Sequence, residues 1–178
     1  VVFLHGYVDN SGADLSIRRL ARLGYTVYAV RFPFLRSVTQ LTEELLRVLE
    51  RIRLIEGDKF FVPIGHSLGG FVWDHVLLLH PDLVRHFNIP LYIPIGSPRL
   101  GTLAAYFAVG QSGRDMRPGS PLVKEHLTRR YPEGLEVYNF VSRFDMVVVP
   151  VETSLWPDGI NYLFSETGHI AQLVRPHV

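Results

Sequence analysis

The 178-residue sequence has no cysteine, which removes disulfide scaffolds, thiol nucleophiles and thiolate zinc sites together. Its eight histidines include no His-Glu-x-x-His pair, so a helical zinc-protease site is missing as well. The longest unbroken apolar run, Leu103 to Val109, is far short of the ~20 residues of a membrane-spanning helix. Charge of one sign is lacking too: 18 basic and 17 acidic residues leave a formal net charge of +1. The cations are scattered, as at Arg18-Arg19, Arg51, Arg85 and Arg129-Arg130, with no basic stripe, so no nucleic-acid partner is expected. No basic segment precedes the opening apolar run Val1 to Leu4, so no signal peptide is read there.

What is present is a core. With 47% hydrophobic and 20% charged residues, the chain is neither disordered nor short of apolar surface to bury. No repeat, low-complexity tract or linker divides it, so residues 1–178 are expected to form a single domain.

Short apolar runs alternate with longer helical patterns, the pattern of a parallel sheet with crossover helices. Strands are expected at Val1–Leu4, Thr26–Val30, Phe60–Ile64, Leu91–Ile95, Glu136–Val141 and Ile160–Phe164. Pro94 is expected at a strand end, where a missing N–H does least harm. Helices are expected over Ala13–Leu23, Val38–Ile55, Phe71–Leu79, Leu103–Val109 and Leu122–Arg129, with a helical tail over His169–Val174. In the second helix Leu41, Leu45, Val48, Leu49, Ile52 and Ile55 fall on one face, and Glu43 and Arg47 form an i,i+4 pair.

Gly65-His66-Ser67-Leu68-Gly69, followed by Gly70, stands between a predicted strand and a predicted helix. That is the context of a nucleophile elbow, where a serine on a strained turn projects above the sheet and its neighbours two before and two after leave no room for side chains. A tight glycine-rich turn would give the same five residues, but the strand-to-helix setting selects the nucleophile. Leu68 N–H, at the helix start, would then be one oxyanion donor. His5-Gly6-Tyr7 ends the first strand, where the second donor belongs, and Tyr7 N–H is assigned to it. Ser97 and Ser120 are each followed by proline, which lacks the N–H an oxyanion hole needs.

A serine nucleophile needs a base, and the base an orienting carboxylate, in the chain order Ser, acid, His. Of the histidines after Ser67, His75 and His80 fall on or at the end of the helix after the elbow, His86 precedes a strand start, His126 falls on a helix ahead of the acid, and His177 is in the tail. His169 follows the last strand on a short loop, and is the candidate base. Asp145 follows the fifth strand, and is the candidate acid. Its rival is Asp158, but Pro157-Asp158-Gly159 is a turn signal that explains that residue without chemistry; Glu166 is too close to His169 to orient it.

These segments resemble a known family. His5-Gly6, Gly-His-Ser-Leu-Gly-Gly, Arg143-Phe144-Asp145-Met146-Val147-Val148, Trp156-Pro157-Asp158-Gly159-Ile160-Asn161 and Gly168-His169-Ile170 look like the small bacterial class 2 lipases. Gly96-Ser97-Pro98-Arg99-Leu100-Gly101-Thr102 and Arg117-Pro118-Gly119-Ser120-Pro121 are similar to GPI inositol-deacylase-like hydrolases. The resemblance implies an α/β fold of the minimal α/β-hydrolase type, about six mainly parallel strands flanked by helices, with Ser67, Asp145 and His169 as triad. It implies a secreted or cell-envelope protein. It departs from the smallest members in one place: residues 97–135 intervene between the fourth and fifth strands, where two short helices are expected to form a partial cap. Because Val1 already lies in the strand that ends at His5-Gly6, the chain is expected to be a trimmed catalytic core.

The expected activity is hydrolysis of carboxylic esters, of lipid type, through an acyl-enzyme on Ser67, with no cofactor and no metal. Acyl transfer to an alcohol and perhydrolysis use the same triad, and a non-catalytic hydrolase-fold binding module is the alternative outside enzymes. Phe32, Phe34, Tyr106 and Met146 are the expected substrate rim, which would suit an acyl chain and would adsorb to a lipid interface. The same aromatic residues would serve equally as core.

Overall fold

A computed structural model describes residues 1–7, 11–33, 35–165 and 168–173. Phe34, Glu166, His177 and Val174 of the expected tail lie outside the described residues. The strands are β1 (Val2–Leu4), β2 (Tyr28–Val30), β3 (Pro63–His66), β4 (Leu91–Ile95), β5 (Glu136–Ser142) and β6 (Ile160–Phe164), with helices α1 (Ser11–Arg22), α2 (Val38–Glu56), α3 (Leu68–Leu79), α4 (Asp82–His86), α5 (Gly110–Asp115) and α6 (Pro121–Leu127). The six strands form one sheet in the order β2-β1-β3-β4-β5-β6, and every pairing is parallel. The sequence therefore predicts the architecture: a minimal α/β-hydrolase sheet with crossover helices. Strand order reverses between β1 and β3, and the crevice beyond the C-terminal ends of strands at such a reversal is where doubly wound sheets bind ligands.

Helix α2 forms because its apolar residues share one stripe: Leu41, Leu45, Leu49 and Ile52 are buried. The stripe stops there, and Ile55 in the last turn is exposed. Ser37 and Gln40 form a capping box at its start, and Asp115 Oδ2 accepts the Val38 N–H at 2.8 Å from α5. The Glu43–Arg47 pair closes at 3.7 Å on the solvent face, where such a pair contributes a few tenths of a kcal/mol. Helix α3 has no polar face. Leu68 through Leu78 are all buried, because sheet, α2 and α6 enclose the helix.

Several boundaries differ from expectation for identifiable reasons. Helix α3 starts at Leu68, directly after the elbow, and β3 runs Pro63–His66, with Phe60 exposed before it. Pro94 is the fourth of five residues in a strand paired on both sides. The Gly96 N–H donates to Phe140 O of β5, and N–H groups alternate sides along a strand, so the donor missing at Pro94 belongs to the same β4–β5 seam. The apolar run Leu103–Val109 is not a helix: it holds one 3₁₀ turn, Leu103–Tyr106, whose Ala104 N–H is accepted by Thr102 Oγ1 at 3.3 Å and whose Leu103 N–H is accepted by Val149 O at 2.8 Å. The expected tail helix is likewise a 3₁₀ turn, Ala171–Leu173. Helices α4 and α5 were unexpected. Helix α5, Gly-Gln-Ser-Gly-Arg-Asp, has neither apolar periodicity nor propensity, and is held by burial of Ser112, Gly113 and Asp115.

Candidate active site

Ser67 occupies the turn between β3 and α3 with φ 54° and ψ −122°. A non-glycine residue in this region is strained and persists only where its surroundings over-determine it. Here they do. A Cβ on Gly65 would fall 2.6 Å from the Gly70 backbone, and one on Gly69 would land on the carbonyl oxygens of Leu4 and His5. The Ser67 N–H donates to Ile95 O at 3.0 Å. The turn is thus wedged between β1, β4 and its own helix, and the two glycines are required by close approach, as the spacing predicts.

Leu68 opens α3, so its N–H is one of the helix-start donors that no intrahelical carbonyl accepts. Gly6 packs against the elbow, where a Cβ on it would lie 3.2 Å from the Ser67 Cβ. Tyr7 follows, its phenol donating to Val109 O and its ring packed against the core.

Asp145 sits on the loop after β5, buried, with a complete set of donors. Its Oδ1 accepts the N–H groups of Val147 and Val148, each at 2.8 Å. Its Oδ2 faces His169 Nδ1 at 2.6 Å and accepts from Gln172 Nε2 at 3.1 Å. Burial pushes the carboxyl group up, but the hydrogen bond and charge of His169 and the two backbone N–H groups outweigh it, and the group is held below the usual carboxylate range. An ionised carboxylate only accepts, so His169 Nδ1 carries a proton, and in the neutral imidazole the free acceptor is then Nε2. The Gly96 backbone floors this pair: a Cβ there would lie 3.2 Å from Asp145 Oδ2, Gln172 Nε2 and His169 Nδ1.

Ser67 and His169 line one cavity of about 230 Å³, together with Gly6, Tyr7 and His66. Its far wall comes from residues 97–135: Pro98, Thr102, Ala104, Ala105, Ala108 and Met116. The expected rim residues are placed elsewhere. Phe32 packs half-buried against the core, Tyr106 is exposed with its ring facing the Arg117 guanidinium, and Met146 is 86% exposed. None of the three lines the cavity; Val147, Ile170 and the alanines do.

The rivals are occupied otherwise. Asp158 forms a two-oxygen ion pair with Arg130 at 2.5 and 2.7 Å, away from His169. Asn161 holds its turn by donating to Trp156 O at 2.7 Å and accepting Trp156 N–H at 3.0 Å. Ser97 donates to Asp74 Oδ2 at 2.8 Å beneath α3, and Ser120 caps α6. Asp74 also accepts from Tyr92 and Tyr131, and its burial pushes its carboxyl group up. This polar cluster ties the elbow helix to β4.

Two site residues escape the motif reading. Gln172 stands three positions after His169, the spacing that puts two side chains on one side of a helical turn. His66 adjoins Ser67 and is buried against His169; only its place in the elbow motif pointed to it.

No curated protein matches the sequence. Among solved structures the chain is similar to the mature Bacillus licheniformis lipase BlEst2, at 14% identity and TM-score 0.78, covering 97% of this chain and 85% of that one. It is similar to the Paleococcus ferrophilus monoacylglycerol lipase at 15% identity and TM-score 0.67, covering 94% and 84%. Legionella pneumophila phospholipase PlaB, at 15% identity and TM-score 0.66, is covered over only 37% of its length by 80% of this chain. These likenesses show the fold. The sequence model of the alpha/beta hydrolase family matches residues 1–171, and with the six-stranded parallel sheet and the elbow turn in place, the chain belongs to the alpha/beta hydrolase family.

Proposed function

We propose that the protein hydrolyses carboxylic esters of lipid type through an acyl-enzyme on Ser67. The observation that carries this reading is the Asp145–His169 contact at 2.6 Å, made by a histidine that lines the same cavity as Ser67. Ser67 Oγ attacks the ester carbonyl carbon while His169 Nε2 takes its proton. The N–H groups of Leu68 and Tyr7 stabilise the oxyanion. The tetrahedral species collapses, its C–O bond breaks, and the alcohol leaves with the proton from His169. Water then attacks the acyl-enzyme and His169 takes its proton; as the bond from the acyl carbon to Ser67 Oγ breaks, His169 gives that proton to Oγ and the carboxylic acid leaves. Asp145 holds the imidazole tautomer and balances its cation.

Residues 97–135 act as a partial cap built into a single catalytic unit. Next in sequence to the lining residues Val147 and Ala108 are Met146, 86% exposed, and Phe107, 89% exposed. Apolar side chains exposed this far support adsorption to an ester–water interface. The names of two structural neighbours, a lipase and a monoacylglycerol lipase, support an ester substrate of this kind.

A fluorophosphonate tests the reading: the parent is labelled on Ser67 and hydrolyses p-nitrophenyl esters, and Ser67→Ala does neither. Equal labelling of the alanine variant, or retained hydrolysis, overturns it.

A further inference from the structure

The cavity has two dissimilar ends. Toward solvent it is bounded by His169, Ile170 and Val147, the last two exposed. Inward it is bounded by Ala105, 2% exposed, and Met116, 5% exposed, with Ala104 and Ala108 between. The histidine that protonates a leaving alcohol must lie beside it, so the alcohol belongs to the solvent end and the acyl group to the buried one.

The inner wall is tied down. Thr102 Oγ1 donates to Val147 O at 2.6 Å and accepts from Val149 N at 3.0 Å. Thr102 N donates to Met116 O at 2.9 Å and Leu103 N to Val149 O at 2.8 Å. Arg117 Nε donates to Ala105 O at 3.3 Å, and a Cβ on Gly113 would fall 2.8 Å from the Ala108 Cβ. A wall stitched to both the acid loop and α5 does not yield to a longer ligand. Its side chains are small where the pocket passes and large where it stops.

The volume is small. About 230 Å³ lies below the ~300–1,000 Å³ of sites that bury drug-sized ligands. At about 30 Å³ for a water-sized group both ends together hold roughly seven methylene-sized groups, which sets the upper limit for an acyl chain.

We infer that Ala104, Ala105, Ala108 and Met116 form a blind acyl pocket that selects short unbranched acyl groups, about four to eight carbons long. The inference rests on Ser67 being the acylated residue. Each methylene that finds room raises kcat/KM roughly fourfold, and those beyond Met116 have none.

The test is kcat/KM of the full chain on p-nitrophenyl acetate, butyrate, hexanoate, octanoate, laurate and palmitate, with Ser67 labelling measured alongside. The parent peaks between butyrate and octanoate and falls at least ~10-fold by palmitate. Ala104→Leu lowers the hexanoate-to-acetate ratio ~10-fold, and Met116→Ala raises the laurate-to-acetate ratio by a similar factor. Ratios within one preparation are unaffected by its folded fraction, and the parent profile decides even where a variant does not fold. A parent profile that is flat or highest at palmitate, or ratios that neither substitution moves, overturns the pocket while Ser67 labelling persists. Absence of both labelling and hydrolysis in the parent overturns the chemistry at Ser67 and, with it, the pocket.

Discussion

The imidazole of His66 lies against that of His169, with ring centroids 4.7 Å apart, and its Nε2–H donates to the His169 carbonyl oxygen at 3.2 Å. A carbonyl only accepts, so the donor is assigned by chemistry. Burial first, and then the charge of His169, lower the His66 pKa to about 3. His66 thus fastens the loop that carries His169, and does so uncharged. As a positioning residue, His66 is expected to act on turnover. His66→Leu should lower kcat roughly 10- to 100-fold with KM changed little, as expected for a base displaced by a fraction of an ångström. His66→Gln, which keeps an N–H donor, should recover most of the loss. Equal damage in both variants, or a change confined to KM, would dismiss the role.

Asp145→Asn should lower kcat by about 10⁴, because an amide in that place favours the wrong histidine tautomer. Asp158→Asn removes only an ion pair with Arg130 at the turn and should leave kcat within about twofold. Steady-state kinetics on one ester checks both, and a reversed order would displace Asp145 as the acid.

Gln172→Leu removes one of four donors to Asp145. A lost hydrogen bond to a charged group costs about 1.5–3 kcal/mol. The variant should be destabilised by that amount in urea unfolding, and its loss of activity on acidification should begin at higher pH than in the parent. An unchanged acid limb would show that Gln172 only fills space.

Acid stability follows from two buried histidines. His66 and His126 are both lowered to about 3, each chiefly by burial, against about 6.5 in an unfolded chain. Between those values the unfolded state binds more protons, so stability rises with pH across the window and is lost as pH falls from 6.5 toward 3. Each contributes up to about 1.4 kcal/mol per pH unit. Asp145, held below the usual carboxylate range, adds stability that is complete above its unfolded pKa and lost only below that. Asp74, pushed up by burial, acts in the opposite sense because its folded state binds the proton more readily; with two histidines against one carboxyl group, urea midpoints should fall from pH 7 to pH 4.5. A flat profile over that range would contradict the neutral burial of these side chains.

Gly65→Ala should be among the most damaging small substitutions in the chain. Its methyl would meet backbone rather than side chain, 2.6 Å from Gly70 Cα. Overpacking of this kind costs about 1–3 kcal/mol, and here it would also tilt Ser67. The expected result is a lower thermal midpoint and loss of fluorophosphonate labelling; retention of both would mean that the turn relaxes.

The parts of the molecule legible in the sequence were those whose reason is local or periodic. Helix α2 was read from a 3.6-residue stripe and the six strands from short apolar runs. The elbow was read from glycines whose contacts are with their own turn or with the neighbouring strand. The contact between Asp145 and His169 was anticipated from chain order and loop position. What escaped depended on distant partners. Helix α5 is held by Asp115 against the start of α2, and nothing within Gly110–Asp115 announces that. The sequence points to large apolar residues near the loops, Phe32, Phe34, Tyr106 and Met146, as the substrate rim, and of these Phe32, Tyr106 and Met146 do not line the cavity. The cavity instead runs along alanines, because a space persists where side chains are small, and hydrophobicity alone does not distinguish a wall from a surface.

A Cβ on Gly69 would fall on Leu4 O and lie 2.5 Å from His5 O, so the end of β1 and the first turn of α3 meet backbone to backbone. The Tyr7 and Leu68 N–H groups stand one on each side of that seam. A change in sequence near either one disturbs the other, which leaves little freedom for variation on this side of Ser67. The opposite wall is different: residues 97–135 line the cavity across from Ser67, and exchanging a side chain there alters the space without shifting the backbone around the elbow. Diversity in what the cavity admits is therefore most easily acquired there, while the turn at Ser67 stays the same.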